Sequence, residues 1–170
     1  MNIKEYESTL KKPLRQATNT FLLTEKQILL ALKKRGWGMG KLYGVGGKPN
    51  SGESIVDAAK REIMEEINVI PGGLEQVAVI NFFFPFVSED KNWNQQVLVF
   101  LAKDWSGEPE ETEEMKPQWN DRDKIPYSKM WVDNEVWLPI VLSGKRLIAS
   151  FMFDENEKII DQIIEEVDSF

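Results

Sequence analysis

Residues 46–69 read GGKPNSGESIVDAAKREIMEEINV, and this stretch says more about the protein than any other part of the chain. Between Ser54 and Ile67, apolar residues recur at intervals of three and four, at Ile55, Ala58, Ala59, Ile63 and Ile67. This spacing predicts an amphipathic helix, because residues three and four apart share one helix face. Ser51 and Ser54 are both suited to cap its first turn, since a serine hydroxyl accepts a hydrogen bond from an unpaired backbone N–H.

Three glutamates share another face of the predicted helix. Glu62, Glu65 and Glu66 stand at positions i, i+3 and i+4 and project within a narrow arc. Like charges at this spacing destabilise a helix by about 0.2–0.5 kcal/mol per pair. A hard divalent cation would relieve the repulsion, because Mg²⁺ prefers carboxylate oxygens. The alternative is a solvated acidic face, which is the more common fate of a glutamate run taken alone.

The composition narrows the chemistry that is open to the chain. Its 170 residues suffice for one domain with a proper core, and they include no cysteine and no histidine. This excludes disulfides, thiolate or imidazole metal sites and Ser-His-Asp triads. The formal net charge of −7 argues against a nucleic-acid polymer or an anionic membrane surface as partner. A small phosphate-bearing ligand, bridged to the protein by a cation, is compatible with that charge.

Neither a membrane span nor a secretory signal is predicted. No apolar run approaches the roughly 18 residues that suggest a span. The opening residues, MNIKEYES, contain two acids and no apolar stretch. We therefore expect a soluble protein of the cytoplasm. Residues 1–15 are polar and mixed in charge and are interpreted as an extension, with a single domain over residues 16–170.

Strands and one further helix are predicted around the central stretch. Two paired strands, 18–24 and 28–32, precede a glycine-rich loop at 35–47. The other predicted elements are strands at 77–87, 96–102 and 146–153, an acidic loop at 108–114 and a helix at 134–142. The final segment is ambiguous from its residues alone. Its apolar spacing from Ile159 to Val167 suits a helix face, whereas the turn before it favours a hairpin strand.

The central stretch resembles the signature of the Nudix hydrolase family. In that signature a glycine is followed by a glutamate and then by Arg-Glu-apolar-X-Glu-Glu-X-Gly-apolar. Here Gly47, Glu53 and residues 61–69 match every defining position except the last glycine, which is Asn68. Asn is the residue that best replaces glycine in the left-handed conformation that ends many helices. We therefore expect this departure to affect stability slightly and chemistry not at all.

The resemblance implies a fold and a metal site. The fold would be an α/β/α sandwich, with a mixed sheet flanked by helices. Glu62 and Glu66 would bind Mg²⁺, with Mn²⁺ as an alternative, and Glu65 would be a further ligand or the base that activates water. The carbonyl of Gly46 commonly adds a ligand. Glu53 and Arg61 usually form an ion pair that positions the helix.

Similarity extends beyond the signature, over roughly residues 16–170, to the human-type oxidised-purine nucleoside triphosphatases, 8-oxo-dGTP diphosphatases of the MutT group. Matching segments are KKRGWG at 33–38, EMKPQW at 114–119, IPY at 125–127 and MWVDNEVWLP at 130–139. By this resemblance Glu114 lies near the metal, and the last segment of the chain is a strand. The residues implied in substrate binding are Thr18, Trp37, Gly46, Gly47, Trp131 and Asp133, with Trp131 stacking on the base and Asp133 bonding its edge.

Two departures fall in the base-reading set. Tyr43 stands where the group has an asparagine that reads the base, and Asn134 stands where it has a second aspartate. The metal set is intact, so the chemistry carries over further than the choice of base. Lys33, Lys34 and Arg35 form a small cationic run beside the glycine-rich loop, where phosphate contact by one of them and simple solvation are about equally expected. Lys33 is taken as the candidate for that contact.

Three functions are open at this point. The first is hydrolysis of an oxidised purine nucleoside triphosphate to a nucleoside monophosphate and pyrophosphate. The second is hydrolysis of another nucleoside diphosphate derivative, such as a nucleotide sugar, a dinucleotide or capped RNA. The third is a non-enzymatic binding module. Such modules typically have an eroded signature, whereas this chain retains all the carboxylates of the signature, so this function is the least expected. The expected partner is a small nucleotide and not a nucleic-acid polymer, and the sequence is silent on oligomeric state.

Overall fold

The computed structural model describes residues 1–170 and contains three α-helices and ten strands. The helices are α1 (Ile3–Thr9), α2 (Ile55–Ile67) and α3 (Asn134–Leu142). The strands are β1 (Arg15–Leu22), β2 (Gln27–Lys33), β3 (Leu42–Tyr43), β4 (Ile70–Pro71), β5 (Leu74–Phe83), β6 (Gln95–Ala102), β7 (Trp105–Ser106), β8 (Met115–Asp121), β9 (Arg146–Phe153) and β10 (Ile159–Val167). Short 3₁₀ helices cover Glu89–Lys91 and Tyr127–Lys129. None of the helices combines the length and the apolar character needed to cross a membrane.

The strands form one large sheet and two small ones. The five-stranded sheet has the order β1-β6-β5-β9-β10, the three-stranded sheet β3-β2-β8, and β4 pairs with β7. β5 runs parallel to β9, with Ala78 opposite Leu147 and Phe83 opposite Met152, whereas β10 runs antiparallel to β9. The large sheet is therefore mixed, as the family resemblance implies.

The chain divides into two compact units. The first comprises residues 1–17, 77–98 and 132–170, and the second comprises residues 18–76 and 99–131. In the second unit α2 packs its apolar face into a core whose buried members are Leu22, Leu29, Ala31, Val45, Ile63, Ile67, Val69, Ala102 and Met115. Burying each of the Val, Leu, Ile and Met side chains in this core stabilises the fold by about 1.5–3 kcal/mol. This packing holds α2, and the glutamates on it, in place.

α2 has the bounds and the ends that its sequence predicts. Ser54 is the N-cap, and its hydroxyl accepts a hydrogen bond of 3.1 Å from the N–H of Asp57. At the other end Asn68 has φ 57° and ψ 40°, and its N–H bonds the carbonyl of Met64. The expectation that Asn68 replaces a helix-ending glycine in the left-handed conformation is confirmed.

In the first unit the N-terminal segment is an ordered helix, which its polar composition did not predict. Asn2 and Glu5 form a reciprocal capping box at the start of α1. Ile3 and Tyr6 are buried in a cluster with Phe83 and Met152. A seven-residue helix is marginal in isolation, so this burial is what holds it.

Two strand predictions were wrong in their pairing or extent. Residues 18–24 and 28–32 do not form a hairpin ladder, because β1 and β2 belong to different sheets. Just after β1, an isolated bridge joins Leu23 to Ile28. The predicted strand 77–87 instead spans Leu74–Phe83 and ends before Pro85.

β8 was not predicted. It is an edge strand with mostly exposed side chains and Pro117 in its middle, and edges are where sheets tolerate proline.

The last segment is the strand that the family resemblance implies, and its helical spacing was misleading. β10 lies at the edge of the sheet, none of its residues is fully buried, and its register shifts between Ile159 and Asp161. An edge strand with no buried face places few constraints on its apolar pattern. The spacing of its isoleucines therefore does not indicate whether the segment is a helix or a strand.

Candidate active site

The glutamates of α2 differ sharply in their exposure. Glu66 is buried, with 6% of its surface exposed. The Glu62 side chain is 14% exposed, and that of Glu65 is 58% exposed. The helix thus presents a graded row of carboxylates, from the core of the second unit to solvent. A solvated acidic face, the alternative considered above, would expose all three.

Glu66 is the most constrained of these carboxylates. Its Oε2 atom is buried and has no hydrogen-bond partner, while the carboxylate accepts a hydrogen bond from the N–H of Gly46. Burial, reinforced by the negative charges of Glu62 and Glu114, raises the pKa of Glu66 to about 8. An ionised Glu66 therefore requires a positive group at its free oxygen.

Arg61 forms ion pairs with Glu53, Glu62 and Glu65. Its Nε and Nη2 atoms lie 2.8 and 2.9 Å from the two carboxylate oxygens of Glu53, a bidentate ion pair. Nη1 bonds Glu62 at 2.9 Å and Glu65 at 3.1 Å, and Nη2 also bonds the carbonyl of Lys48 at 3.0 Å. The ion pair that the resemblance implies is present. Its part in catalysis stays a prediction.

The remaining acid of the predicted metal set is held by a second arginine. Glu114 lies 3.0 Å from Arg35 Nη2 and is about half exposed. With Arg61 on Glu62 and Glu65, and Arg35 on Glu114, no three acidic side chains converge on a point that would hold an ion as they stand. The charges of Glu62 and Glu114 nevertheless both act on Glu66. The acids are neighbours whose side chains are turned toward arginines.

Two glycines allow the backbone to approach the carboxylates. The Thr18 N–H donates to the carbonyl of Gly47 at 2.8 Å, and the Gly47 N–H lies 3.3 Å from Thr18 Oγ1. A Cβ at Gly46 would collide with the Thr18 carbonyl, and one at Gly47 would collide with the Glu62 carboxylate. At Gly46 the obstacle is backbone, so glycine is required there; at Gly47 a Cβ would have to displace the Glu62 carboxylate. Thr18, Gly46 and Gly47 are thus brought together beside Glu62 and Glu66.

A second cluster in the same unit is aromatic. The indoles of Trp37 and Trp131 stack with centroids 4.8 Å apart and planes 21° apart. Trp131 Nε1 donates a hydrogen bond of 2.7 Å to the Tyr43 hydroxyl. The ammonium of Lys41 lies 4.4 Å from the Trp131 ring centroid, and that of Lys33 lies 5.8 Å from the Tyr43 ring centroid. The structure therefore assembles Lys33, Trp37, Tyr43 and Trp131 into one group.

Asp133 and Asn134 belong to the first unit, at the start of α3. Both are buried, and Asp133 Oδ2 accepts a hydrogen bond of 2.8 Å from Trp137 Nε1. Burial raises the pKa of Asp133 to about 6, although the bond from Trp137 acts in the opposite direction. Their predicted contacts with a base are not tested by this arrangement.

Sequence reasoning missed the arginine and lysine contacts between loops. Lys34 bonds Glu111 at 2.9 Å, and Arg35 bonds both Glu113 and Glu114. The sequence predicts an acidic loop at 108–114 and a cationic run at 33–35, but it does not pair them with each other. Their opposite charges were the signal that the two segments meet. Lys41 on Trp131 had no comparable signal.

Comparison of the sequence with known proteins identifies the family of this chain. A model of the NUDIX domain matches residues 13–139. The chain is 41% identical over 142 residues to the oxidized purine nucleoside triphosphate hydrolase of Danio rerio, covering 84% of this chain and 88% of that protein. It is 39% identical over 153 residues to the Mus musculus protein of the same name, covering 90% and 96%.

A solved structure shows the same fold. The crystal structure of a MutT protein from Bacillus halodurans has a TM-score of 0.75 and 24% identity, covering 89% of this chain and 98% of that one. At this identity the likeness concerns the fold alone, and it confirms the predicted α/β fold with a mixed sheet and helices. The family model and both relatives cover most of the chain, so this protein is a member of the Nudix family of hydrolases.

Proposed function

We propose that this chain hydrolyses oxidised purine nucleoside triphosphates, 8-oxo-dGTP among them, to a nucleoside monophosphate and pyrophosphate. The two vertebrate relatives described above are named for an activity of this kind. The proposal includes Mg²⁺ as cofactor, with Mn²⁺ as an alternative, and a small nucleotide as the partner. The cytoplasmic location expected from the sequence stays a prediction.

One observation carries the proposal: a carboxylate cluster and an aromatic cluster lie in the same unit with Lys33 adjoining both. The Lys33 ammonium lies 5.8 Å from the Tyr43 ring centroid, and its charge also acts on Glu66. A nucleoside triphosphate has a flat base at one end and an anionic chain at the other. The aromatic cluster suits the base, and the carboxylates with a cation suit the phosphates. We assign Lys33 to contact with the phosphate chain, because it neighbours both clusters.

The donor atoms of the carboxylate cluster are of the type that a divalent ion prefers, although Glu62 and Glu114 would have to turn from their arginines to reach it. Nudix hydrolases generally use divalent metal ions. The buried, unpartnered Oε2 of Glu66 is a carboxylate oxygen that needs a positive neighbour, and an all-oxygen donor set suits Mg²⁺ or Mn²⁺. We assign Glu62, Glu66, Glu114 and the carbonyl of Gly46 as the groups that would hold it. When bound, the ion neutralises phosphate charge and lowers the pKa of a bound water.

The chain's own residues then complete the reaction. Glu65 is exposed and is assigned as the group that takes the proton from the attacking water, with Glu66 as the alternative. A bond forms between the water oxygen and phosphorus, and the bond to the bridging oxygen of the anhydride breaks, giving monophosphate and pyrophosphate. The ion pair of Glu53 and Arg61 is assigned to hold the helix, and with it the carboxylates, in position.

For the base, Trp131 is assigned as the stacking ring. Trp37 and Thr18 are assigned to the same pocket, and Gly46 and Gly47 to the backbone that faces the substrate. Asp133 and Asn134 are assigned to the edge of the base, because the resemblance places the corresponding residues there. Stacking holds any purine, so selectivity rests on the edge contacts.

The test is a substrate panel in the presence of Mg²⁺. It compares 8-oxo-dGTP, 2-hydroxy-dATP, unmodified dNTPs, ADP-ribose and dinucleoside polyphosphates, with release of pyrophosphate or phosphate as the readout. We expect the oxidised purine triphosphates to have the highest kcat/KM. Trp131→Ala should raise their KM about 5- to 150-fold, because stacking on an aromatic ring contributes about 1–3 kcal/mol per base. Trp119→Ala, in the separate Trp105–Trp119 stack, is the matched control.

A second candidate is hydrolysis of another nucleoside diphosphate derivative. It is favoured by Tyr43, because the phenol that replaces the asparagine bonds the Trp131 indole. Preferential turnover of ADP-ribose or of a dinucleoside polyphosphate would support this candidate against the first. Absence of Mg²⁺-dependent release from every substrate would overturn both and favour a binding module.

A further inference from the structure

The backbone of Tyr43 is paired at the edge of the second unit's three-stranded sheet. It is the last residue of β3, and its backbone pairs with Ala31 in β2, which is fully buried. The phenol lies against Gly38, where any Cβ would collide with the Tyr43 hydroxyl. Gly38 has a φ of +79°, a conformation that side-chain-bearing residues rarely adopt. Backbone pairing on one side and the glycine on the other therefore define where the hydroxyl stands.

Trp131 lacks such support from its own backbone. It lies between the short 3₁₀ helix Tyr127–Lys129 and α3, in a segment without strand or helix pairing. Its indole is oriented by side chains instead: Nε1 donates to Tyr43 at 2.7 Å, Trp37 stacks at 4.8 Å and the Lys41 ammonium lies at 4.4 Å. The stack and the cation constrain the position of the plane. The hydrogen bond to Tyr43 constrains rotation of the indole within that plane.

From this geometry we infer that Tyr43 is a positioning residue for purine binding, acting through the Trp131 indole and not on the edge of the base. The inference rests on the proposed function, in which Trp131 stacks on the base. An amide at position 43 would offer a donor and an acceptor to a base edge, whereas the phenol oxygen is directed at Nε1. Discrimination between purines therefore does not come from position 43.

The consequence for kinetics is specific. Removing the hydroxyl releases the indole but leaves the carboxylate cluster unchanged. Binding of every purine triphosphate should weaken by a similar factor, and turnover of bound substrate should hold. Loss of one hydrogen bond predicts a rise in KM of about 2- to 12-fold, equal for 8-oxo-dGTP and dGTP, with kcat within about twofold of the wild type.

The experiment compares Tyr43→Phe with Tyr6→Phe. The second variant also removes a phenol hydroxyl, but one whose bond is to Asn94 in the first unit. The readout that needs no substrate is the indole N–H resonance of Trp131 in a ¹⁵N-labelled protein, identified by its loss in Trp131→Phe. We expect that resonance to move upfield and to exchange faster with solvent in Tyr43→Phe. In Tyr6→Phe it should not move, and KM should be unchanged.

The outcomes separate this inference from the proposed function. An unmoved Trp131 resonance in Tyr43→Phe would overturn the inference, as would an unchanged KM. A KM that rises only for the oxidised purine would show that Tyr43 reads the base edge directly. Should Tyr43→Phe fail to fold, the wild-type exchange rate decides, because an unprotected Trp131 indole proton contradicts the hydrogen bond. Absence of purine triphosphate turnover in the wild type would refute the proposed function while the resonance still tests the bond.

Discussion

Arg61 and Glu53 form a bidentate ion pair eight residues apart, with Nε–Oε2 and Nη2–Oε1 distances of 2.8 and 2.9 Å. The same guanidinium reaches Glu62, Glu65 and the carbonyl of Lys48. One side chain thereby ties the loop before α2 to the helix that carries the carboxylates. An ammonium group cannot make this set of contacts, because it lacks the planar fork of the guanidinium.

Arg61→Lys should therefore lower kcat/KM by about 10- to 100-fold, the usual effect of removing a residue that orients metal ligands. Metal-dependent activity measured over a range of Mg²⁺ concentrations checks this, and the half-saturating concentration should rise. Lys60→Arg, on the neighbouring exposed position, serves as the control. Wild-type activity in Arg61→Lys would show that charge alone suffices.

Glu66→Gln should separate catalysis from stability. We expect kcat to fall by about 10²–10⁴-fold, whereas the metal-free protein should melt at a higher temperature at neutral pH. Burial raises the pKa of Glu66 to about 8, above its value in the unfolded chain, so the folded state is favoured at low pH and loses stability as pH rises toward 8. Glutamine does not ionise, so Glu66→Gln should not lose stability in this way as pH rises. Glu165→Gln, on the exposed strand β10, should change neither kcat nor the melting temperature. Equal melting temperatures for Glu66→Gln and the wild type would contradict the conclusion that burial of Glu66 destabilises its charged form.

Gly47→Ala tests the close approach of backbone and carboxylate. The added Cβ would meet the Glu62 carboxylate and push it from its position, so Mg²⁺-dependent activity should fall at least about tenfold. Gly73→Ala is a matched control, because a Cβ there meets nothing within 4 Å. The two variants should differ in activity while both remain folded by circular dichroism. Equal activities would mean that Glu62 has room to move.

Asp133 should contribute a pH dependence to stability. Burial raises its pKa to about 6, so the folded state binds a proton more tightly than the unfolded chain does. Stability from this group is fully present below about pH 4 and is lost as pH rises to about 6, by roughly 3 kcal/mol in all. Urea unfolding between pH 4 and 7 measures this, and Asp133→Asn should flatten the change. Asp123→Asn, on an exposed turn, should leave the wild-type profile intact.

Much of the fold followed from local patterns. Periodicity and a capping serine predicted α2, and α3 and β9 have the predicted bounds because each is a mostly apolar segment that follows a polar or turn-forming stretch. The failures were elements held by packing. α1 is polar in composition and ordered by two buried side chains, and β8 contains a proline that only an edge position accommodates. The pairing of β1 and β2 depended on which sheet each joins, and turn residues do not encode that.

By itself, the sequence determined the family, the helix that carries the carboxylates and the types of residue available to bind metal and base. These follow from residue identity and spacing over some twenty positions, where helix geometry converts spacing into direction. Tertiary structure alone decided that Glu66 is buried with an unpartnered oxygen and that Arg35 holds Glu114. It also decided that Tyr43 meets Trp131 across 88 positions of sequence. Burial and such distant contacts depend on how the whole chain packs, and no local spacing records them.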